Sequence, residues 1–333
     1  MKRVLVIGGS GTISSPITRM LAEDRDVELT VLNRGRKKGD LPECKHLIAD
    51  FHEADEVLKD LSFDCVIHFV CMNILDAKKS VELFQGKTKQ FIFISTNCVL
   101  DHDVSCNVNE DNPKGNRYWQ YGRDKAECED YFLSLKDFPV TIVRPSQTYS
   151  KNRIPLSVKG NYWSVCERLI KGKEVIVHGD GQSVWAGTHA EDFARFFYPL
   201  ICNQETIGEI YSIVNPEPYT WDMLYRCLAE KLGGTYRPVY ISTSLLEKSK
   251  RYDFLGSIHG DRHFSNLFDV SKIKALSPGR EFEISMEKGI EMFVEYMDEH
   301  PEEKVADPSF DQWCDETIRA YHELTEAFEN KIE

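Results

Sequence analysis

The chain has 333 residues, 41% of them hydrophobic, and 41 Lys and Arg against 54 Asp and Glu give it a net charge of −13. This composition is typical of an acidic globular protein long enough for one large or two modest domains. Phosphate backbones and anionic lipids are bound chiefly through Lys and Arg, so the charge argues against nucleic acid and membranes as partners. No apolar run approaches the roughly 18 residues that a membrane span needs.

Two features predict a cytoplasmic protein. The apolar run at residues 4–7 leads directly into glycines and is too short for a signal peptide. The ten cysteines are scattered without a CxxC pair, which favours reduced thiols.

His259 and His263 lie four residues apart without an evident third ligand, so we predict no metal site.

Strand and helix patterns alternate over the first part of the chain. A β-branched run at 3–7 is followed by a glycine turn and by apolar residues at helical spacing. Alternating β and α elements predict an α/β fold with a doubly wound parallel sheet, of the Rossmann type. Further strands are predicted at 28–32, 46–48, 64–69, 90–95 and 140–143, with a helix at about 123–134.

Beyond Tyr149 the order of elements is less regular. We predict an NAD(P)-binding domain at 1–150, with 174–215 rejoining it. Residues 151–172 and 216–300 would form a smaller substrate-binding cap. The apolar spacing within 301–333 predicts one amphipathic helix that docks on the body.

A glycine-rich turn separates the first strand from the first helix, where backbone N–H groups and the helix dipole can hold a pyrophosphate. Gly8 would make the tight turn, and Gly11 would let the backbone approach phosphate, while Ser14 stands where a third glycine is usual. The strand–turn–helix context predicts a bound dinucleotide, and a glycine turn without a ligand is the alternative. The predicted contacts are Gly8, Gly9, Ser10, Gly11, Thr12 and Ile13.

The end of the second strand bears on the choice of cofactor. An acidic residue there would accept a hydrogen bond from the 2′-hydroxyl of NAD, but the chain has Asn33 and Arg34, with Arg36 close by. These groups suit a 2′-phosphate, so the sequence favours NADP over NAD. Asp50, with Phe51 beside it, ends the third strand and could accept from the adenine amino group; a solvated loop carboxylate is the alternative.

A candidate reactive group follows the fifth strand. Tyr121 and Lys125 are four residues apart and would share one helix face. A neighbouring cation lowers the pKa of a phenol, so the tyrosine could act as a base near neutrality. Ser95, Thr96 and Asn97 stand at the carboxyl end of the fifth strand, the edge where open α/β sheets bind their ligands.

Together these motifs resemble the extended short-chain dehydrogenase/reductase superfamily, in its NAD-dependent epimerase/dehydratase branch, as far as about residue 215. By that resemblance Thr96 hydrogen-bonds the reacting oxygen, Tyr121 transfers the proton, and Lys125 binds the cofactor ribose. The matching stretches are IGGSGTIS, DCVIHF, FISTN, YGRDK, VRPSQTY and GDGQSVWAGTHAEDFA.

The resemblance implies further contacts and an assembly. His68, Phe69 and Val70 would line the adenosine, and Pro145 and Ser146 the nicotinamide side. Relatives often pair through the two helices that flank the sheet, so we expect a homodimer that uses residues 121–134.

The departures from the family pattern concern the substrate. Asn97 and Cys98 follow Thr96, where 4,6-dehydratases carry an Asp-Glu pair, which argues against elimination by that route. Trp185 stands where nucleotide-sugar enzymes usually have an arginine, so the usual diphosphate anchor is missing. Trp185 could stack on a sugar or base, or belong to the core of the cap, and His189 could face the site or cap a helix. The predicted substrate contacts are Ser95, Asn97, Gln147, Trp185 and His189.

The resulting hypothesis is an enzyme that uses NADP or NAD to oxidise a secondary hydroxyl of a sugar-like substrate. Returning the hydride to the other face would give epimerisation, and releasing the ketone would make the protein a dehydrogenase or reductase. A non-catalytic nucleotide-sensing or RNA-associated protein of the same fold is the remaining alternative. The complete set of Thr96, Tyr121 and Lys125 and the negative charge count against it.

Overall fold

The computed structural model describes residues 1–35, 42–158 and 160–332, so the predicted ribose neighbour Arg36 lies outside the described residues. The chain forms two compact units. The first comprises Met1–Tyr149, Ala186–Pro216 and Phe268–Glu283, and the second Ser150–Trp185, Glu217–Leu267 and Ile284–Glu333. In the described part of the chain no helix is both long and apolar enough to cross a membrane.

Strands and helices alternate in the first unit as the sequence predicts. The strands of both units, in chain order, are β1 Lys2–Ile7, β2 Val27–Asn33, β3 Lys45–Ile48, β4 Cys65–His68, β5 Phe91–Ile94, β6 Asn107–Val108, β7 Val140–Pro145, β8 Gln147–Tyr149, β9 Val175–His178, β10 Val184–Trp185, β11 Gly187–His189, β12 Ile210–Ile213, β13 Tyr219–Thr220, β14 Pro238–Ile241 and β15 Leu267–Phe268.

The α-helices are α1 Ser14–Glu23, α2 Asp55–Leu58, α3 Ile74–Phe84, α4 Gln120–Ser134, α5 Tyr162–Ile170, α6 Ala190–Phe197, α7 Trp221–Lys231, α8 Thr243–Leu246, α9 Ser271–Ala275, α10 Met286–Glu299 and α11 Pro308–Ile332. A π-helix spans Leu255–Arg262. Short 3₁₀ turns occupy Phe51–Glu53, Asn97–Val99, Tyr198–Leu200, Gln204–Thr206 and Pro301–Glu303.

A seven-stranded sheet in the order β12-β7-β5-β4-β1-β2-β3 forms the centre of the first unit. Every neighbouring pair is parallel. All residues of β4 and β5 are buried, which is why these strands read as continuous apolar runs. The predicted doubly wound α/β sheet is confirmed.

The segment predicted at 174–215 to rejoin the sheet divides between the two units. β12 pairs with β7 at the edge of the large sheet. β9 instead pairs in parallel with β14, within the second unit. Both strands are short and largely apolar, so their local sequence could not reveal which partner each would take.

A buried ion pair ties α4 to β7. The Arg144 guanidinium contacts Glu129 with both ends of its fork, Nε to Oε1 at 2.9 Å and Nη2 to Oε2 at 2.7 Å. Neither residue is more than 1% exposed. Arg144 Nη1 also donates to the Glu110 carbonyl, and the Arg144 carbonyl accepts from Asn97 Nδ2 at 3.0 Å. The pair therefore joins α4, the end of β7 and the turn after β5.

Replacing Glu129 by alanine should lower the free energy of unfolding by about 3–5 kcal/mol, because it leaves the buried guanidinium without its counter-charge. Denaturant unfolding of the two proteins measures the difference. Glu127→Ala, an exposed position on the same helix, is the matched control and should unfold near the wild-type midpoint. Equal midpoints for the two variants would show that the pair contributes nothing to stability.

Candidate active site

The carboxyl ends of the seven parallel strands meet at one edge of the sheet. β1 lies between β2 and β4, so the chain order reverses beside β1. Open α/β sheets bind their ligands in the crevice at such a reversal. The turns that follow β1, β2, β3 and β4 all open onto this edge.

The glycine loop after β1 adopts a conformation that depends on its residue types. Gly8 has φ +85°, and a Cβ there would stand 2.7 Å from Val70 Cγ1. Ser14 folds back on the loop: its hydroxyl accepts from the Gly11 N–H at 2.8 Å and donates to the Gly8 carbonyl at 2.7 Å. Ser14, which stands in place of the usual third glycine, thus stabilises the loop through two hydrogen bonds.

A cleft of about 730 Å³ opens at this point of the sheet edge. Eight of the predicted cofactor contacts line it: Gly8, Ser10, Gly11, Asn33, Arg34, Asp50, Phe51 and Val70. The sequence analysis did not single out the other lining residues, which are Ile7, Leu32, Gly35, Ala49, His52, Met72, Asn73 and Asp76.

The ends of β2 and β3 supply the polar groups on one side of the cleft. Asn33 Oδ1 accepts from the Gly35 N–H at 2.9 Å, which shapes the turn that presents the exposed Arg34. Asp50 caps the following 3₁₀ turn, since its Oδ1 accepts from the His52 N–H at 3.1 Å. Asp50 therefore holds the local backbone, and its contact with adenine stays a prediction.

Asp76, near the start of α3, also lines the cleft. It is 5% exposed, accepts from the Met72 N–H at 2.6 Å, and lies 2.9 Å from His52 Nε2. With Asn73 it forms a capping box at the start of α3. The spacing Asn73-x-x-Asp76 is a helix-start signal that could have located this helix end from the sequence.

The remaining predicted cofactor residues do not line the cleft within the described residues; they are Gly9, Thr12, Ile13, His68, Phe69, Tyr121, Lys125, Pro145 and Ser146. His68 is fully buried, with Nδ1 3.1 Å from Ser80 Oγ and its ring 4.3 Å from that of Phe51. Burial, followed by the nearby Lys125 cation, lowers the pKa of His68 to about 3. The imidazole is neutral and packed behind the cleft wall.

Lys125 is 2% exposed at the sheet edge. Its Nζ donates at 2.6 Å to the carbonyl of Cys71, in the turn after β4, and at 2.7 Å to that of Ile94, the last residue of β5. Burial lowers the pKa of Lys125, because it removes the ammonium group from water. The Nζ atom lies 5.9 Å from the centre of the Tyr121 ring, so the two predicted residues are neighbours.

The turn that holds Thr96 packs against the first turn of α4. Thr96 is 6% exposed, and its hydroxyl accepts from the Cys98 N–H at 3.2 Å. A Cβ on Gly122 would stand 2.2 Å from the Cys98 carbonyl oxygen, so only glycine allows this approach. Asn116 Nδ2 donates to the same carbonyl at 2.9 Å. This packing brings the Thr96 turn beside Tyr121, which is half-buried.

Most of the predicted substrate contacts in the first unit are buried or hydrogen-bonded to other residues of the protein. Asn97 donates to Arg144 and accepts from Ser212 Oγ at 3.2 Å. Burial lowers the pKa of His189 to about 4, and its Nδ1 accepts from the Glu191 N–H as the cap of α6. The hydroxyl of Ser95 is buried without a hydrogen-bond partner among the described residues, and Gln147 is half-buried on β8.

Trp185 belongs to the second unit. It is 1% exposed and packs on Trp221, with ring centres 4.8 Å apart, and on Tyr219. Trp185 is therefore a core aromatic of this unit, which agrees with the interpretation that it belongs to the core of the cap. A substrate contact for Trp185, like those for Ser95, Asn97, Gln147 and His189, stays a prediction.

The donor set of the cleft fits a nicotinamide dinucleotide. Its glycine loop turns at Gly8, where a side chain would clash with Val70, and polar groups of Asn33, Arg34 and Asp50 follow the neighbouring strands. Among the described residues no group of three or more His, Cys, Asp or Glu side chains could hold a metal ion. The fold and this cleft define a dinucleotide-binding protein of the Rossmann type.

The chain belongs to the NAD dependent epimerase/dehydratase family, whose model matches residues 4–213. The resemblance drawn from the motifs is confirmed, and the protein is an enzyme that uses an NAD(P) cofactor. Among characterised proteins it is similar to the dTDP-D-glucose 4,6-dehydratase of Mus musculus, with 24% identity over 329 residues that cover 89% of this chain and 88% of the relative.

Many solved structures share the fold. The epimerase Mth375 from Methanothermobacter thermautotrophicus superposes with a TM-score of 0.75 at 19% identity, over 91% of this chain and 94% of its own. The UDP-glucuronic acid 4-epimerase from Bacillus cereus in complex with NAD gives a TM-score of 0.70 at 18% identity, over 89% and 99% of the two chains. At these identities the likeness shows the fold alone.

Gly122→Ala should lower the free energy of unfolding by about 1–3 kcal/mol, because the added methyl group overlaps the Cys98 carbonyl and forces α4 away from the Thr96 turn. The same Gly→Ala change at an exposed helix position would raise the free energy of unfolding, since alanine is the better helix former. Denaturant unfolding measures the change, with Glu127→Ala again as the control. Stability equal to or above that of the wild type would contradict the close approach.

Proposed function

We propose that this protein is an epimerase-type enzyme that transiently oxidises a secondary hydroxyl of a sugar-like substrate and works in the cytoplasm. A carbohydrate, a nucleoside or a nucleotide-sugar would serve as the substrate. The single observation that carries the proposal is the placement of Lys125 beside Tyr121, held by the carbonyls of Cys71 and Ile94. Cys71 lies between Val70 and Met72, which both line the nucleotide cleft. The ten free cysteines agree with a reducing compartment.

Gly8, Gly11 and Arg34 would hold an NAD(P) cofactor, whose nicotinamide would supply the hydride acceptor and donor for the substrate carbon. Tyr121, as the phenolate, takes the proton of the reacting hydroxyl and later gives it back to the same oxygen. Lys125 favours the phenolate electrostatically and donates to the cofactor ribose. Thr96 hydrogen-bonds the reacting oxygen, and its turn is held in place by Gly122 and Asn116.

The residues after Thr96 favour redox chemistry without elimination. Asn97 is an amide whose two ends are bonded to Arg144 and Ser212, and Cys98 carries no carboxylate. The chain therefore lacks an acid pair at this point, although the mouse relative is a 4,6-dehydratase. The missing acid pair supports redox chemistry, epimerisation included, over dehydration.

Tyr121→Phe should lower turnover about 10²–10⁴-fold and leave cofactor binding unchanged, because only the proton-transferring oxygen is removed. Tyr131→Phe makes the same chemical change on the same helix and is the matched control. UDP-glucuronic acid, dTDP-glucose and their free sugars serve as probes, and isomer formation is followed by chromatography. Full activity in Tyr121→Phe would overturn the mechanism.

Identifying the cofactor that is released on denaturation, and its oxidation state, distinguishes epimerisation from net oxidation. Stoichiometric oxidised cofactor, with isomer formation that needs no added nicotinamide, supports the epimerase. Net consumption of added NADPH or NADP would make the protein a reductase or dehydrogenase. Failure to bind either cofactor would contradict both enzymes and leave the non-catalytic alternative.

We further propose that NADP is preferred over NAD. The support is the exposed Arg34 on the cleft wall after β2, with the amide of Asn33 turned towards Gly35 and no carboxylate at the strand end. A guanidinium in this place suits the 2′-phosphate that distinguishes the two cofactors.

Arg34→Ala should weaken NADPH binding about 10–100-fold, the range expected for losing a hydrogen bond to a charged group. NADH lacks the 2′-phosphate, so its binding should stay within about twofold and serves as the internal control. Fluorescence titration of the same preparation with both cofactors gives the ratio. An equal loss for NADH and NADPH would remove Arg34 as the discriminating group.

A further inference from the structure

His52 lines the nucleotide cleft from the turn after β3, and the sequence patterns did not single it out. Its side chain is 57% exposed, and one ring nitrogen, Nε2, lies 2.9 Å from Asp76 Oδ1. The other ring nitrogen, Nδ1, has no hydrogen-bond partner among the described residues. His52 therefore brings to the cleft a polar atom that the protein itself does not use.

Asp76 holds the His52 ring in one orientation. The second carboxylate oxygen, Oδ2, accepts from the N–H groups of Met72 at 2.6 Å and Asn73 at 3.3 Å, at the start of α3. Asp76 is buried and belongs to the capping box of that helix, so its carboxylate cannot follow movements of the ring. The helix start thus positions the imidazole through one buried side chain.

The contact with Asp76 also decides the hydrogen-bonding character of the ring. A carboxylate can only accept, so the hydrogen between the two residues belongs to His52 Nε2. In a neutral imidazole the second nitrogen is then an acceptor. His52 Nδ1 is therefore suited to a donor group on a ligand, whereas a carbonyl oxygen in the same place would be repelled.

The place of His52 along the sheet edge matches the base of a dinucleotide. β1, β2 and β3 are consecutive neighbours in the sheet. The glycine loop after β1 suits the pyrophosphate, and Arg34 after β2 suits the ribose and its substituents. Neighbouring strands lie about 4.8 Å apart, so β3 is about 10 Å from β1 and leaves room for a ribose between phosphate and base. The turn that carries His52 therefore lies at the adenine end of the cleft.

The lining of the cleft also suits a purine. Apolar side chains that can cover the faces of a flat ring line the same cleft; they are Leu32, Ala49, Phe51 and Met72. Adenine carries an amino donor at position 6, where guanine carries a carbonyl acceptor. An acceptor beside an apolar pocket therefore favours adenine over a 6-oxopurine.

We propose that His52, oriented by Asp76, accepts a hydrogen bond through Nδ1 from the 6-amino group of the cofactor's adenine. The amino group has two hydrogens, so the contact predicted for Asp50 can coexist with this one. His52 is then an adenine-selecting residue, and Asp76 is its positioning residue. The proposal rests on the NAD(P) cofactor of the family and is independent of epimerisation and of the preference for NADP.

A cofactor with hypoxanthine in place of adenine tests the proposal, because it replaces the amino donor by a carbonyl acceptor. The full chain is equilibrated with NADH or NADPH, whichever it binds more tightly, and with the hypoxanthine analogue of the same cofactor. At pH 8 an ordinary imidazole is neutral. The bound nucleotides are then quantified by chromatography. The wild type should bind the adenine cofactor at least about tenfold more tightly, since the analogue leaves an acceptor unpaired.

His52→Ala should reduce this preference about tenfold, because it removes the acceptor that distinguishes the two nucleotides. The affinity for the adenine cofactor should fall, and that for the analogue should stay nearly unchanged. His46→Ala is the matched control, since His46 is an exposed histidine of β3 outside the cleft lining, and it should keep the wild-type ratio.

Asp76→Asn distinguishes a positioning role from a merely structural one. The N–H groups of Met72 and Asn73 require an oxygen, so the NH₂ group of the new amide would donate to His52 Nε2. The ring must then carry its hydrogen on Nδ1, which becomes a donor. The preference should therefore shift towards the hypoxanthine analogue by more than about tenfold. Circular dichroism checks that the variants fold.

Three outcomes would overturn the proposal. The first is equal binding of the two nucleotides by the wild type. The second is a preference that His52→Ala leaves unchanged, which would assign the recognition of the amino group to another residue, such as Asp50. The third is an Asp76→Asn variant that loses affinity for both nucleotides alike, which is the result expected of a damaged helix start.

Discussion

Parallel strands must all release the chain at the same edge of a sheet, and the candidate site depends on this constraint. The glycine loop after β1, the polar turns after β2 and β3 and the Thr96 turn after β5 are far apart in sequence. They meet at one edge because the strands that carry them share a direction. The reversal of chain order beside β1 opens the cleft there and leaves room for a dinucleotide.

Two buried cations organise this edge in different ways. Arg144 has a full counter-charge in Glu129, and the pair connects α4 to β7 and, through a backbone carbonyl, to Asn97. Lys125 donates instead to two backbone carbonyls, those of Cys71 and Ile94, and burial lowers its pKa. The first cation fixes the helix that carries Tyr121, whereas the second lies beside the Tyr121 ring.

The second unit is built around aromatic packing. Trp185 and Trp221 pack against each other with tilted rings, and His178 packs edge-on against Trp221 with Nδ1 2.7 Å from Ser157 Oγ. Burial lowers the pKa of His178 to about 4, so the ring is neutral at physiological pH. In the same unit α11 buries Phe310, Trp313, Cys314 and Ile318, all in its first half.

By itself the sequence determined the parallel sheet, the glycine loop and the Tyr121–Lys125 pair, because each has a local pattern: apolar runs, a strand–turn–helix context and a four-residue spacing on one helix. It also located Asn33, Arg34 and Asp50, since residues at the ends of adjacent parallel strands must share an edge. Other features depend on which distant segments pack together. Tertiary structure alone placed His68 behind the cleft wall, and it paired β9 with β14. It also brought Asp76 and His52 into the cleft, and it left Leu324, Phe328 and Ile332 of α11 exposed. Short strands and single polar residues carry too little local information to choose such partners, and only the packed chain decides them.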